Sequence, residues 1–130
     1  MQGTSLFPDV EQLLIRWLQT AAELSRVRFC TILPAEITET TVRIYRTAGA
    51  ARNIRVDRPI VDADVYALDV ADSVLIARQI ENLLLTQLMG LQTPDGTVQS
   101  VSSVIGPRYL ADENQDLIRY SASYEVHTHA

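Results

Sequence analysis

A strictly alternating stretch that runs straight into a helix start restricts the fold of this chain more than any other feature. In 59-PIVDADVYALDVADS-73, the odd-numbered residues from 61 to 67 are small or β-branched, whereas the even-numbered ones include Asp62 and Asp64. Alternation of this kind is typical of a strand whose two sides meet different surroundings. Small and β-branched side chains suit a sheet face packed under a helix, so we expect the aspartate side to be the more exposed face.

The rest of the chain divides into further strands and two helices. A Pro-Asp start and an i, i+3, i+4 apolar stripe predict the first helix, and Asp69 predicts the N-cap of the second, which Gly90 ends. Alternation and turn residues predict the strands. The predicted order is α-β-β-β-α-β-β, with helices at about 9–24 and 69–89 and strands at about 27–33, 42–48, 59–67, 97–105 and 117–128. We therefore expect one α+β domain over residues 1–130, with a mixed, mostly antiparallel sheet and both helices on one sheet face.

Composition excludes several classes of protein. The chain has 130 residues, a net charge of -5, and 11 basic residues that are all arginines. An acidic balance argues against a protein that wraps nucleic acid by neutralising phosphates. The sequence has neither an apolar run of about 18 residues nor a signal-peptide pattern, so we expect no membrane segment and synthesis in the cytoplasm. The single cysteine, Cys30, is interpreted as a buried small hydrophobe, with a reactive thiol as the alternative.

Two groups of residues could bind a metal. Asp62 and Asp64 form an Asp-x-Asp pair that could hold a divalent cation, but no second acidic cluster accompanies them, and a strand face is favoured. Glu125, His127 and His129 would share one face of the last strand, although chain ends often fray. The sequence contains no nucleophile elbow and no glycine-rich phosphate loop, so we expect no catalytic residue, no cofactor and no metal.

Charged residues gather in two predicted loops. Either these are solvated loops, or a basic hairpin of one subunit meets an acidic loop of the next in a head-to-tail contact. Asp62 and Asp64 could join the same contact, because a row of carboxylates on one sheet face can meet the arginines of a neighbour. The candidate contact residues are Arg46, Arg52, Arg55 and Arg58 around the turn at 49–53, and Arg108, Tyr109, Asp112, Glu113 and Asp116 in the predicted loop 106–116.

Four segments together resemble a known family. They are FPDVEQLLIRWL, VRIYRTAGA, RPIVDADVYALDVADSVLIARQIENLLL and VIGPRYLADENQDLIRYSASYEV. Over about residues 7–126 the chain is similar to the tail terminator proteins of long-tailed phages, also called tail-completion or tail-to-head joining proteins. The most specific parts are the strand-helix unit 61–85 and the Gly-Pro-Arg-Tyr-Leu segment with the later Arg119-Tyr120.

This resemblance implies a structural virion protein without catalysis. It implies a six-membered homo-oligomeric ring that caps the head-proximal end of the tail tube, stops its polymerisation and joins the head or neck. The implied partners are the major tail tube protein and a head-completion or neck protein, while DNA passes through the lumen without specific binding. With this resemblance, Asp62 and Asp64 are expected to line that lumen or to join a contact between subunits. The alternatives are a head-completion or stopper neck protein and, from another class, a small cytosolic metal-dependent enzyme or ligand-binding domain.

Overall fold

A computed structural model describes residues 9–49, 56–114 and 116–129, with the backbone alone at Val56. Within these residues, no helix is long and apolar enough to cross a membrane. The two helices are α1 (Val10–Gln19) and α2 (Val70–Leu83); a 3-10 turn (Ala22–Leu24) follows α1 and a π-helical segment (Leu84–Leu88) continues α2. The strands are β1 (Arg28–Cys30), β2 (Thr41–Ala48), β3 (Val56–Asp57), β4 (Ile60–Ala67), β5 (Gln92–Thr93), β6 (Gly96–Leu110) and β7 (Ile118–His129).

Both helices begin where the sequence predicts. The Asp9 carboxylate accepts a hydrogen bond from the Gln12 amide at 3.2 Å, and the Asp69 carboxylate accepts one from the Asp72 amide at 2.7 Å. The α1 helix is shorter than predicted, because the amide and hydroxyl of Thr20 both turn back to the Trp17 carbonyl and close its last turn. Beyond α2, Gly90 has a φ of 78°, as expected for a glycine that stops a helix.

The described strands form one mixed sheet in the order β1-β2-β4-β7-β6-β5, with β3 paired to the end of β7. The β1–β2 pair is parallel, and the other pairs are antiparallel. The central strand β7 pairs with β4 on one side and β6 on the other, although it lies last in the sequence. The predicted α+β class is therefore confirmed, with β3 and β5 as short additional strands.

Both helices pack on the same face of this sheet. Core residues of α1 and α2 join one buried cluster with the inward side chains of β2, β4, β6 and β7. On β4 these are the odd-numbered residues Val61, Ala63 and Val65, as the alternation predicts. Burial of this apolar surface is the main stabilising contribution to the fold.

The second predicted loop is largely a strand. Strand β6 continues to Leu110, so Arg108 and Tyr109 lie opposite Ser121 and Tyr120 of β7, and the loop itself is confined to residues 111–117. Gly106 and Pro107 suggested a break, but the strand accommodates them through register shifts between Ser103 and Arg108. Because bulges bend a strand and increase its twist, this end of the sheet is curved.

The backbone at the end of β2 approaches the segment before β4 very closely. Gly49 has a φ of 91°, and a Cβ at this position would lie 2.1 Å from the Arg58 carbonyl oxygen. Only glycine fits a backbone approach this close with a positive φ. The predicted hairpin tip at 49–53 lies mostly outside the described residues.

Candidate functional site

The face of the sheet without helices carries a network of polar side chains around Asp64. Its two carboxylate oxygens accept hydrogen bonds from Ser121 at 2.5 Å, from Arg119 at 2.9 Å and from Tyr45 at 3.2 Å. Register explains the grouping, because Ser121 lies directly opposite Asp64 on β7 and Tyr45 lies diagonally on β2. We call these four residues the Asp64 cluster.

The expected exposure of Asp64 is wrong. Its relative exposure is 0%, and Ser121 and Tyr66 on the same face are also buried. Long side chains of the neighbouring strands cover the carboxylate, and Asp64 pairs with Arg119 of its own chain. A carboxylate closed off in this way cannot line a channel in this chain conformation, and its bonding capacity is used inside the subunit.

Asp62 has a more open position on the same face. Its carboxylate accepts hydrogen bonds from Ser123 at 2.6 Å and from Tyr45 at 3.5 Å, and the residue is half-buried. The phenol of Tyr45 therefore bridges the two aspartates. Of the Asp-x-Asp pair, Asp62 alone keeps a surface that another molecule could reach.

Two arginines lie over aromatic rings on this face. The Arg43 guanidinium carbon is 3.9 Å from the centre of the Tyr45 ring, and that of Arg119 is 5.7 Å from the centre of the Tyr66 ring. The arginine Nε of Arg43 also donates to the Thr31 carbonyl at 3.0 Å. These contacts hold the planar guanidinium groups across neighbouring strands, where they shield the carboxylates of this face from water.

The surroundings of the cluster keep Tyr45 and Arg119 protonated. Burial, together with the nearby charges of Asp64 and Asp62, raises the pKa of Tyr45 to about 12. Burial opposes the charged form of Arg119, but the adjacent Asp64 carboxylate raises the pKa of this guanidinium above its usual range. Tyr45 and Arg119 therefore remain hydrogen-bond donors to Asp64 at neutral pH.

The geometry limits which of the candidate residues could bind a metal together. In the parts of the chain that the structure describes, no three His, Cys, Asp or Glu side chains converge as metal ligands. His127 Nε2 lies 2.6 Å from Glu125 Oε1 on one strand face, but the structure does not gather a third ligand with them. At Cys30, burial raises the pKa of the thiol, which is opposite to the activation of a nucleophilic cysteine.

The predicted basic hairpin is partly used within the chain. Arg46 forms a two-pronged ion pair with the buried Asp57, at 2.8 and 3.1 Å, and its amide donates to Glu11 of α1. The ion pair joins β2 to β3, and the amide hydrogen bond joins β2 to α1. Arg58 is half-buried, whereas Arg52 and Arg55 lie outside the described residues.

The predicted acidic loop is exposed at the end of β6 and β7. Among the described residues, no arginine forms an ion pair with Asp112, Glu113 or Asp116. Asp112 and Asn114 instead accept amide hydrogen bonds from within the loop. Within the described residues, the negative charge of this loop is not paired with an arginine.

Sequence reasoning missed one surface, which is the outer edge of β6. Strand β5 pairs only with Gly96 and Thr97, so the rest of β6 has no described strand on that side. Val104, Ile105 and Tyr109 are exposed there by 50%, 42% and 56%. The length of the last alternating strand could have indicated a long β6, because the twelve-residue β7 needs a partner of similar length.

Comparisons with known proteins agree with this architecture. A family model described as "Phage tail termination protein" matches residues 6–130. Comparison with curated proteins gave no match. A solved chain from the "Virion of native gene transfer agent (GTA) particle" has a TM-score of 0.71 and 14% identity, covering 93% of this chain and 95% of that chain. At such low identity, this likeness establishes a shared fold.

Proposed function

The chain belongs to the phage tail termination protein family, and from this membership we propose that it caps the head-proximal end of the tail tube as a six-membered ring. It is a structural protein of the phage tail, and its place is the virion. In the proposed role, the ring ends tube polymerisation and presents the surface that joins the head or neck. No catalytic step is part of this function.

The observation that carries the proposal is the extent of the family match. Residues 6–130 include every described helix and strand, so the match concerns the whole folded unit. The same unit has the fold of a chain in a virion particle over 93% of its length. A family match over the whole folded unit, with no convergent metal-ligand set among the described residues, suits a ring component.

Three features of the subunit suit a ring. A closed cyclic assembly needs two different surfaces on each subunit, and this sheet ends in two different edges, β1 and β6. The helices cover one sheet face, leaving the other for the lumen or for a neighbour. A charge of -5 per chain, repeated around a ring, would repel DNA phosphates and keep the passage non-adhesive.

Asp62 is the acid that can still contribute to a lumen or to a subunit contact. We propose this role for its half-buried carboxylate, whereas Asp64 serves inside the subunit. The proposed partners are the major tail tube protein on one side of the ring and a head-completion or neck protein on the other.

The test is electron microscopy of the purified protein mixed with tail tubes of its own phage. The expected result is a six-fold cap at one tube end and tubes that no longer grow. As a control, the same protein is offered to portal complexes, because a stopper or head-completion protein would bind there instead. Bare tubes that continue to grow would refute the proposed function.

A further inference from the structure

We infer that a cleft between α1 and the β5–β6 hairpin takes an uncharged, apolar side chain of another protein of the virion. One wall of the cleft is formed by Leu13, Trp17 and Thr20 of α1 and its cap, and the other by Thr93 and Pro94 of the hairpin. We call it the Trp17 cleft. The cleft is a property of this chain alone, whereas the choice of a virion protein as the partner rests on the proposed function.

The size of the Trp17 cleft suits a single side chain. Its volume is about 230 Å³. Sites for cofactors and drug-sized ligands usually have roughly 300–1,000 Å³, whereas an apolar cavity of about 150 Å³ is enough for a benzene molecule. The cleft is therefore smaller than a typical cofactor site and large enough for one aromatic or branched aliphatic side chain.

The two hydroxyl groups that line the cleft are already used as donors. The Thr20 hydroxyl donates to the Trp17 carbonyl at 2.6 Å, and the Thr93 hydroxyl donates to the Gly96 carbonyl at 2.7 Å. A hydroxyl has one proton to donate, and in both cases it is bound within the same segment of the chain. Neither wall therefore offers a free hydroxyl donor to a polar ligand, and an apolar group suits the cleft better.

The two charged residues that line the cleft neutralise each other. Arg16 of α1 donates through Nη1 to Oδ1 of Asp95 in the hairpin, at 3.1 Å, so the ion pair joins the two walls. The Arg16 side chain is 61% exposed, and water is available for its remaining N–H groups. Because the two charges cancel, the lining offers no net charge to an ionic ligand, and an uncharged occupant complements it.

The side chains in and beside the cleft are typical of a protein interface. Trp17, the only tryptophan of the chain, is half-buried. Met89 and Leu91 precede the hairpin and are exposed by 50% and 38%, and the Leu91 carbonyl accepts from the Val98 amide at the base of the hairpin. Tryptophan and methionine are enriched at protein interfaces, where a few apolar anchors fill pockets of the partner. A cleft of this size is therefore assigned to one anchor side chain of a protein.

The single tryptophan allows binding at the cleft to be measured directly. The full chain is labelled with fluorotryptophan, so that its fluorine resonance reports on Trp17 alone. It is titrated with three probes at millimolar concentration: the uncharged N-acetylphenylalanine amide, N-acetylphenylalanine with its free carboxylate, and the cationic N-acetylarginine amide. We expect a saturable shift with the uncharged probe and several-fold weaker binding of both charged probes. No shift with the uncharged probe, or equal binding of a charged one, would overturn the inference.

Two variants that fill the cleft show whether the probe binds there. Thr20→Phe adds a ring at one wall, and Pro94→Phe adds one at the opposite wall. Gln19→Phe is the matched control, because it adds the same ring at a neighbouring exposed position outside the lining. We expect both filled variants to lose most of the probe response and Gln19→Phe to keep it, with circular dichroism melting to identify the folded proteins. A folded filled variant that binds the probe unchanged would show that the probe binds elsewhere, against the inference.

Tail tubes and heads test the nature of the partner. The filled variants should cap tubes or join heads several-fold less often than Gln19→Phe does. If they lose the probe yet cap and join normally, no virion protein uses the cleft, and the proposed function stands. If the unsubstituted chain forms no cap, the proposed function and the virion partner both fail, while the probe titration still decides whether the cleft binds. Self-association of the free chain in sedimentation, lost only in the filled variants, would identify a second copy as the occupant and overturn the inference.

Discussion

The two faces of the sheet are buried in different ways. The helix-covered face excludes water with apolar side chains of α1 and α2, such as Leu18 and Ile80. The other face has no helix over it, yet Asp64 and Ser121 there are as inaccessible as the core. Asp64 is covered by the side chains of Arg119 and Tyr45 from the two adjacent strands, which donate hydrogen bonds to its carboxylate.

The stability of the two faces depends on different properties of the side chains: volume on the first face, and hydrogen-bond direction and charge on the second. Apolar packing depends on volume and tolerates exchanges of similar shape. A polar network depends on each donor reaching its acceptor, because an unmatched buried group loses the free energy of solvation without compensation. Substitutions that preserve shape should therefore have small effects on the first face and larger ones on the second.

The largest effect is expected on the helix-covered face. Ile80→Ala should lower the free energy of unfolding by about 3 kcal/mol, because it removes buried methyl groups and leaves a cavity. Ile80→Val, which keeps most of the volume, should cost about 1 kcal/mol. Urea denaturation measures both; equal losses would show that this face does not depend on volume.

Asp64→Asn should lower the free energy of unfolding by about 2 kcal/mol, although the side chain keeps its shape. The change removes the charge that pairs with Arg119 and leaves part of the hydrogen-bond pattern unmatched. Asp62→Asn is the matched control and should cost less than about 1 kcal/mol, because Asp62 is half-buried and forms no ion pair with an arginine within the described residues. If Asp64→Asn and Asp62→Asn lower the free energy of unfolding by the same amount, the burial of Asp64 makes no additional contribution to stability.

Tyr45→Phe should have a smaller effect than Asp64→Asn, about 1 kcal/mol, with a dependence on pH that identifies its cause. The raised pKa of Tyr45 means that the folded state holds its proton more tightly than the unfolded state does. Its contribution should therefore be complete below about pH 10 and be lost as the pH rises through about 12.

The measurement is the difference in ultraviolet absorbance between the unsubstituted protein and Tyr45→Phe during an alkaline titration. A single tyrosine ionising near pH 12 is expected in the difference. Ionisation near pH 10 would show that Tyr45 does not donate to the two aspartates in solution.

Local patterns predicted the elements that local interactions determine. The start of a helix near Asp9, the cap at Asp69 and the alternation of β4 and β7 are properties of adjacent residues, and the structure confirms them. The strand order, the continuation of β6 to Leu110 and the short β3 and β5 depend on pairing between distant segments. No local sequence pattern predicts which of these distant segments pair.

The candidate site residues show the same limit of prediction from local sequence patterns. Alternation correctly placed Asp62 and Asp64 on one side, but their exposure depends on which side chains lie across the neighbouring strands. Arg119 and Tyr45, which cover Asp64, are 55 and 19 residues away from it in sequence. A periodic pattern identifies the face a residue occupies; only the assembled sheet determines what covers that face.

The position of β7 affects how the protein can be made. Every other strand precedes it in the chain, yet it joins β4 to β6 and supplies Arg119 and Ser121 to Asp64. During translation, the segments before it have no means of closing the sheet, and the carboxylate of Asp64 stays in water. Folding must then wait until residues 118–129 have left the ribosome. A partly synthesised subunit would therefore never compete with finished ones for a place in the particle.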